Sequence, residues 1–505
     1  MANSSFAISH HFNFGVWKFL LSIFYLDDSP IVASSVALKE TIETFWRAQL
    51  SVFIMLVLKS LHLPLRTLGA FVETFLNIIN ANGGLSKILY MIFTASASGI
   101  IWPKRGSKDY FSTIGHLDWR TQLDTTIGTQ HSGKEIGVIT HNPSSENTKS
   151  ASEPVSMAEL CIMSSKLAYE NAEIVKAVVK ELWNMNFIAQ YDCWNESQRA
   201  NATRVFLATD KKHDVEVIVV AFRGTEPFNT FDWITDIDFS WHKLKNLGRV
   251  HVGFLEALGL GSRNNLATFA ELQRRLLEPA ASRGPSISGM SENIRSTKRL
   301  AYDVVTEKLK ELIQTHKNAK IYITGHSLGG ALACLYSALL YHAKESTLAD
   351  RIGGVYTFGQ PRVGDDKFVK FYNEKLTQPQ NRYFRVVYNS DLVPRVPFDD
   401  AVSRFKHAGK CRYFDCNYTG QILGEVPNKN YISIFYNLPM TLSAIWELIY
   451  NTLLLPLLHG DEYYESKTST LFRTLGVLFP GIGSHSPVNY VNSVRLGTAS
   501  SQVFW

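Results

Sequence analysis

The 505-residue chain is poor in cysteine and carries little net charge, and both shortages exclude classes of protein. Its five cysteines are scattered and odd in number, which argues against a disulfide framework and favours a reducing compartment. A formal net charge of +6 is small for this length, and no module of basic and aromatic residues is present. We therefore expect no nucleic-acid partner, although a mild positive charge is compatible with an anionic membrane surface.

The sequence also predicts no signal peptide, and it has no long uninterrupted apolar run before residue 104. Its first 30 residues begin with polar side chains and have neither a basic start nor a compact apolar core. Apolar runs before residue 104 extend over about 11 to 16 residues between single charges, short of the ~18 to 20 residues of a spanning helix. Such runs fit helices lying in a lipid interface, and helices packed as an ordinary second domain are the alternative. The aromatic content and the missing polar faces favour the interface.

Changes in composition divide the chain into three predicted parts. Residues 1–124 form an apolar helical region that associates with a lipid surface or membrane, and residues 125–155, rich in Ser, Thr, Asn and Gly, form a linker. Residues 156–505 form the catalytic domain. It contains a basic insertion at 261–299, either a solvated loop or a contact for anionic headgroups. It also contains an apolar insertion at 431–460, which lines an acyl-chain site, dips into lipid or forms a buried helix.

The strongest chemical signal is a G-x-S-x-G motif between a predicted strand and a predicted helix. The strand covers residues 321–324, the helix starts at Ala331, and Gly325-His326-Ser327-Leu328-Gly329 joins them. A serine on such a turn has a strained backbone, and Gly325 and Gly329 lack side chains so that strand and helix can pack closely. The helix N-terminus favours developing negative charge. We therefore predict that Ser327 is a nucleophile; an idle serine in a glycine-rich turn is the alternative.

A second predicted strand leads into a candidate oxyanion hole. Residues 215–222 are nearly all apolar, as in a central strand covered on both faces, and they run into Arg223-Gly224-Thr225. A loop leaving the C-terminal end of a central strand lies at the same edge as the nucleophile turn. We expect the N–H groups of Thr225 and Leu328 to hold an oxyanion, with a plain turn as the alternative. The aromatic residues between 228 and 241 form a lid or substrate wall, or equally a buried helix.

The orienting acid of a hydrolase triad belongs at the end of a strand downstream of the serine. Residues 383–388 predict such a strand, and Asp391 follows it. Asp391 is therefore favoured over the rival carboxylates, none of which directly ends a strand: Asp365, Asp366, Asp399 and Asp400.

Three later histidines compete for the role of general base. His407 comes too soon after Asp391 for a loop from a separate strand, and His459 precedes an acidic cluster. His485 lies in a loop that opens on Gly483 and enters the last element, so the order Ser, Asp, His closes best there. No group of His, Asp or Glu has the spacing of metal ligands, and we expect neither a metal nor a cofactor.

Together these motifs resemble those of the class 3 (fungal-type) triacylglycerol lipases. The matching residues lie between about residue 157 and the C-terminus: Phe222-Arg223-Gly224-Thr225, His251, Gly253-Phe254, the Gly325 to Ala331 stretch, Gly359-Gln360-Pro361-Arg362 and Asp391-Leu392-Val393-Pro394. A closer resemblance is to plant oil-body lipases, through the apolar N-terminal region and further segments: Ile114 to Asp118, Leu167 to Asn171, Gly253 to Gly261 and His485 to Tyr490.

This resemblance implies an α/β-hydrolase fold with a mostly parallel central sheet and a triad of Ser327, Asp391 and His485. It also implies hydrolysis of triacylglycerol and other acylglycerols at the cytosolic face of lipid droplets or oil bodies. A phospholipase A1 or galactolipase on the same scaffold is one alternative, and a non-catalytic membrane scaffold is another. The segment between Asp391 and His485 is longer and more apolar than in the small secreted fungal relatives, so their lid position does not transfer. The sequence defines no oligomeric state.

Overall fold

A computed structural model describes residues 5–6, 53–94, 97–123, 157–278, 286–399, 404–429, 434–459, 463 and 465–499. The predicted linker at 125–155, the apolar run at 14–26 and the carboxylate of Asp400 lie outside these residues. The strands of the described part are β1 Ser5–Phe6, β2 Asn186–Asn195, β3 Ala200–Thr209, β4 Val217–Phe222, β5 Trp241–Leu244, β6 Gly248–His251, β7 Lys320–His326, β8 Ile352–Phe358, β9 Tyr383–Tyr388, β10 Cys411–Phe414, β11 Thr419–Leu423 and β12 Thr498–Ala499.

The helices alternate with the strands through most of the chain. They are α1 Phe53–Ser60, α2 His62–Ala81, α3 Leu85–Phe93, α4 Thr113–Leu117, α5 Met157–Leu167, α6 Ala172–Ala177, α7 Thr230–Ile237, α8 Val252–Ala257, α9 Ala267–Leu277, α10 Glu292–Thr297, α11 Ala301–Thr315, α12 Leu328–His342, α13 Ser346–Ala349, α14 Asp366–Leu376, α15 Ile434–Ile449, α16 Leu455–His459, α17 Lys467–Gly476, α18 Pro480–Gly483 and α19 Pro487–Arg495. One π-helical turn, Val178–Leu182, follows α6, and another, Tyr450–Leu454, joins α15 to α16.

Nine strands form one sheet in the order β12-β11-β10-β9-β8-β7-β4-β3-β2. The run from β4 through β7, β8 and β9 to β10 is parallel, whereas β2, β3 and β4 pair antiparallel at one side. A mostly parallel sheet with helices between its strands is the arrangement of an α/β-hydrolase. The predicted fold class is confirmed.

Strand β4 shows why the sheet is covered on both faces. Its six residues are all fully buried, and they alternate between two hydrophobic cores. Ile218 and Val220 pack in the core that contains α12, whereas Val217 and Val219 pack in the core that contains α5. Because successive side chains of a strand point to opposite faces, the run of apolar residues follows directly from burial on both sides.

The parallel strands bring three loops to one edge of the sheet. The loop after β4 begins at Arg223, the turn after β7 holds Ser327, and the loop after β9 begins at Asn389. These segments are distant in sequence, but their strands lie within four positions of the sheet order. Since the carboxyl ends of parallel strands meet at one edge, this edge is where a site is expected.

The basic insertion at 261–299 is more structured than a solvated loop. It contains α9 and α10, and three residues at helical spacing on α9 are buried in the core: Phe269, Leu272 and Leu276. Arg274 and Arg275 pair with Glu271 of the same helix. The prediction of a solvated loop rested on the many charges of this segment. The apolar residues at helical spacing are the signal for an amphipathic helix.

The described part of the apolar insertion, residues 434–459, is helical and largely exposed from Leu438 to Leu458, so the alternative of a buried helix is wrong. Residues Leu438–Leu458 make a 21-residue apolar stretch, and 17% of its 18-residue apolar window is buried. Its exposed side chains are large and apolar: Leu438, Leu442, Ile445, Trp446, Ile449, Leu453, Leu457 and Leu458. Its fully buried face includes the polar residues Glu447 and Asn451. This orientation is the reverse of a helix on a water-soluble core.

Candidate active site

Ser327 sits on a strained turn between β7 and α12. Its φ of +58° and ψ of −134° lie in a region that residues with a side chain rarely adopt. Its backbone N–H donates to the carbonyl of Phe358 at 2.9 Å. A Cβ at Gly325 would collide with the backbone of Gly329, and a Cβ at Gly329 would collide with the carbonyl of Phe222. The two glycines therefore allow the close packing on which the turn depends.

The structure brings Ser327, His485 and Asp391 into one hydrogen-bonded chain. The Ser327 hydroxyl lies 2.8 Å from Nε2 of His485, and Nδ1 of His485 lies 2.8 Å from Oδ2 of Asp391. Because a carboxylate oxygen only accepts, Nδ1 carries the proton and Nε2 is left to accept from the serine. Asp391 is fully buried, and His485 is 8% exposed. Because Asp391 is buried, little solvent screens its electrostatic attraction to the imidazole of His485, and the hydrogen bond between them is stronger.

Two more donors fix the Asp391 carboxylate. The backbone N–H of Val393 donates to Oδ1 at 2.8 Å, and the hydroxyl of Tyr490 donates to Oδ2. Gly359, at a φ of +60°, leaves room here, because a Cβ would lie about 3 Å from Tyr490, Asp391 and His485. Burial and the neighbouring Asp391 raise the pKa of Tyr490 well above its ordinary value, so its hydroxyl remains a donor.

The loop after β4 lies directly against the nucleophile turn. A Cβ at Gly224 would collide with the carbonyl of His326 and lie 3.1 Å from Cβ of Ser327. Thr225 follows Gly224 and is 5% exposed. Leu328 is the first residue of α12, where helix N–H groups have no intrahelical acceptor. The backbone at Thr225 and Leu328 is thus adjacent to the serine, where oxyanion donors are needed.

His326 connects the nucleophile turn to the His485 loop. Its Nε2 lies 3.0 Å from the backbone carbonyl of His485, and its Nδ1 lies 2.9 Å from the hydroxyl of Tyr169. The carbonyl only accepts, so Nε2 donates and Nδ1 accepts from Tyr169. Burial, followed by the nearby His485, lowers the pKa of His326 well below its usual value, and the ring is neutral.

Helix α7 lies beside the His485 ring. The Trp233 ring meets the His485 ring edge-on, with 6.1 Å between centroids, while Ile234 is buried. The segment is therefore a partly buried helix next to His485, and the alternative of a lid or substrate wall stays a prediction. Helix α2 of the N-terminal region packs on its start: His62 bonds to Thr230 at 2.9 Å, and Gly69 lies against Phe228.

The rival acids of the described part have structural roles away from the serine. Asp365 caps α14 by accepting from the N–H groups of its first turn. Asp366 pairs with Lys406 at 2.8 Å, and Asp399 pairs with Lys429 at 2.9 Å. Each of the three carboxylates thus has a structural partner of its own, and none belongs to the hydrogen-bonded chain of Ser327, His485 and Asp391.

The rival histidines are likewise outside the chain. His407 is buried, and its Nε2 donates to the carbonyl of Pro394 at 2.7 Å. His251, which the sequence analysis matched only as part of a motif, donates to the carbonyl of Asp238 at 2.6 Å. His459 ends α16, and its side chain lies outside the described residues. Within the described ranges, no group of three or more His, Cys, Asp or Glu side chains is arranged to hold a metal ion.

Sequence reasoning missed two partners of the site. Tyr490 follows His485 by five residues, and nothing in its spacing indicates that its hydroxyl reaches Asp391. Glu447 accepts from the side chain of Asn389, two residues before Asp391. A signal for Glu447 was present, since a single carboxylate in an otherwise uncharged apolar segment is costly unless it has a function.

The fold and this constellation are those of the serine hydrolases on an α/β-hydrolase scaffold. Comparison with known proteins narrows the class. The family described as Lipase (class 3) matches residues 219–401, a range that includes Ser327 and Asp391 and ends before His485.

Three relatives match nearly the whole chain. Triacylglycerol lipase OBL1 of Nicotiana tabacum is 40% identical over 498 residues, covering 90% of this chain and 84% of that protein. The protein of the same name from Ricinus communis is 42% identical over 474 residues, covering 92% and 89%. Its counterpart in Arabidopsis thaliana is 39% identical over 470 residues, covering 92% and 87%. The chain belongs to the class 3 lipase family, and the resemblance drawn from its motifs is confirmed.

Proposed function

We propose that this lipase hydrolyses the acyl esters of triacylglycerols at a lipid surface, with Ser327 as nucleophile. The observation that carries the proposal is the chain from Ser327 Oγ through His485 to Asp391, with both distances at 2.8 Å. The names and coverage of the three plant relatives support the substrate.

The mechanism follows from the hydrogen bonds. His485 Nε2 takes the proton of Ser327 as Oγ attacks the ester carbonyl carbon, and Asp391 stabilises the imidazolium that results. The N–H groups of Thr225 and Leu328 donate to the oxyanion. When the tetrahedral intermediate collapses, the bond to the glyceride oxygen breaks, and that oxygen receives the proton from His485. Water, deprotonated by His485, then attacks the acyl-serine and releases the fatty acid.

The lipid surface is the finer part of the proposal. Helix α15 packs against α17 and α18, and Leu471, Leu475, Leu478 and Phe479 in that region are exposed like the outer side chains of Leu438–Leu458. Large apolar side chains exposed together on a protein surface are typical of a surface that binds lipid. We infer that it seats the enzyme on lipid droplets, with α1–α3 as a second contact. The cytosolic face is favoured, since the five cysteines are free thiols.

Replacing Ser327 by alanine tests the catalytic assignment. We expect hydrolysis of a triolein emulsion to fall by about 10⁴-fold or more, because the nucleophile is removed. Binding to the emulsion should be unchanged, since Ser327 is 1% exposed and adds almost nothing to the protein surface. Retained turnover in the purified variant would contradict the serine mechanism.

A parallel assay on phospholipid vesicles tests the substrate class. We expect the wild-type enzyme to turn over triolein faster than phospholipid at equal surface area. Faster release of fatty acid from phospholipid would assign the same residues to a phospholipase A1 instead.

A further inference from the structure

Glu447 is the only charged residue in the apolar insertion at 431–460. It lies on α15 and is 5% exposed, while Leu442, Trp446 and Leu453 of the same helical stretch are exposed. A carboxylate on such a helix costs free energy to bury, so its partners indicate what it is for.

One oxygen of Glu447 contacts both loops that carry the acid and the base. Nδ2 of Asn389 donates to Oε1, and the hydroxyl of Ser484 lies 3.4 Å from the same oxygen. Asn389 also donates to Ser443 of α15 at 2.8 Å. Asn389 precedes Asp391 by two residues, and Ser484 directly precedes His485. The two loops are 94 residues apart in the chain and share this acceptor.

We propose that Glu447 is a positioning residue that ties the lipid-facing helix to the loops of Asp391 and His485. The inference rests on the proposed function of those two residues. Glu447 lies on α15, a third element outside both loops, and from there it holds His485 against Asp391. A base–acid pair must be held within a fraction of an ångström for efficient turnover, so an anchor common to both loops is useful.

The acceptor oxygen of Glu447, rather than its charge, makes these contacts. Arg473 lies 3.6 Å from Oε2, but its Nε already pairs with Glu465. The other titratable groups that its charge influences are Tyr388, Tyr418 and Cys416. Burial raises the pKa of Glu447 to about 7, so near neutral pH a large share of it is protonated, and Oε1 remains an acceptor. Glutamine keeps a carbonyl oxygen at this place, whereas leucine keeps only the shape.

The experiment compares Glu447→Gln and Glu447→Leu on a soluble ester, p-nitrophenyl butyrate, where lipid binding plays no part. We expect Glu447→Leu to lower kcat by about 10²-fold with KM within about twofold, because the pair is displaced rather than the substrate site. Glu447→Gln should keep kcat within about threefold of wild type. Asn451→Leu is the matched control, since it removes another buried polar group from the same face. The Asn451 side chain bonds to Tyr418, to Tyr463 and to the backbone carbonyl of Glu447, but not to the carboxylate of Glu447.

The proposal is overturned if Glu447→Leu keeps wild-type kcat, if Asn451→Leu loses as much kcat at an equal loss of Tm, or if Glu447→Gln falls as far as Glu447→Leu. Should the leucine variant not fold, Ser484→Ala removes one of the two ties with a smaller change, and unchanged kcat there is equally decisive. Labelling of wild-type Ser327 by a fluorophosphonate separates the two hypotheses. If the wild type does not react, the triad assignment fails, whereas a reactive wild type with an unaffected Glu447→Leu refutes only the tie.

Discussion

The Asp391 carboxylate shows how much of the site is decided by single side chains. It accepts from three donors: His485, Val393 and Tyr490. Two of these fix the carboxylate in place so that the third, the imidazole, is held in one orientation. A hydrogen bond to a charged group in a buried site contributes about 1.5–3 kcal/mol, so each donor matters.

Tyr490→Phe tests the contribution of the hydroxyl to Asp391. We expect kcat on a soluble ester to fall by about tenfold, since one charge-assisted hydrogen bond is lost while the ring still fills its place. Tyr388→Phe is the control. Tyr388 is fully buried in the same aromatic cluster, and its hydroxyl has no hydrogen-bond partner in the part of the chain that the structure describes. Equal effects of the two substitutions would show that Tyr490 acts through packing alone.

At the scale of elements, α15 is the clearest departure from an ordinary enzyme helix. Its polar residues Ser443 and Glu447 face the protein and bond to it, and its leucines face outward. In water, the exposed apolar surface of this helix would cost about 25 cal/mol of free energy per Å². A lipid partner removes that cost, which is why the helix supports a surface-bound enzyme.

Substituting two outward leucines tests this contact. We expect Leu442→Ser with Leu453→Ser to weaken binding to triolein emulsion by at least about tenfold, since burying a leucine side chain is favourable by about 1.5–3 kcal/mol. Turnover of a soluble ester should stay at the wild-type level, because both side chains are more than half exposed. Flotation of the protein with emulsion measures the binding. Leu182 and Leu266, exposed to a similar degree on other elements, supply the control pair. An equal loss with the control pair would contradict a specific lipid face.

At the scale of the whole molecule, buried titratable groups set the response to pH. Burial lowers the pKa of His116, His242 and His251 to about 4, and it lowers the pKa of His326 and His407 well below the usual value. An unfolded histidine takes up a proton near pH 6.5, whereas these do not until a lower pH. The unfolded state therefore binds more protons between these values, and stability falls as the pH falls.

Buried histidines and buried acids act in opposite directions, so the larger contribution decides whether stability falls or rises as the pH falls. At pH 5.5 each of the three histidines with a pKa of about 4 lowers the free energy of unfolding by about 1.4 kcal/mol. Glu447 and Asp303 oppose this, because burial raises their pKa values to about 7 and about 6. Their contribution is present at low pH and lost as the pH rises through those values, and from pH 8 to 5.5 it returns only about 3 kcal/mol in total. The three histidines together outweigh these two acids, and His326 and His407 act in the same direction as the three.

We therefore expect the Tm to be lower at pH 5.5 than at pH 8. Differential scanning calorimetry measures this, and His242→Phe is the matched variant. His242 stacks on Phe269 with 4.8 Å between centroids, and its Nδ1 has no hydrogen-bond partner among the described residues. The variant should lose about 1.4 kcal/mol less than wild type over this range. An acid sensitivity identical to that of wild type would show that His242 does not titrate on unfolding.

The sequence by itself determined the parts of this protein that depend on local pattern. Strand, tight turn and helix around Ser327 follow from residue types within about a dozen positions, and the apolar run of β4 follows from its burial on both faces. The order of serine, acid and base, and the family, could be read from motifs. The helical periodicity of α9 was equally local but was obscured by its charges.

Only the tertiary structure decided which side chains meet across the sheet edge. The order of strands β4, β7, β8 and β9 sets Thr225, Ser327 and Asp391 side by side, and no local pattern contains that order. The same holds for Tyr490 on Asp391 and for Glu447 between the two loops. Their partners are separated by tens of residues, so the contact depends on how α15 and α19 pack rather than on spacing. The outward face of α15 was decided the same way: its inward polar residues have partners in the fold, and Leu438 and Leu442 are left exposed.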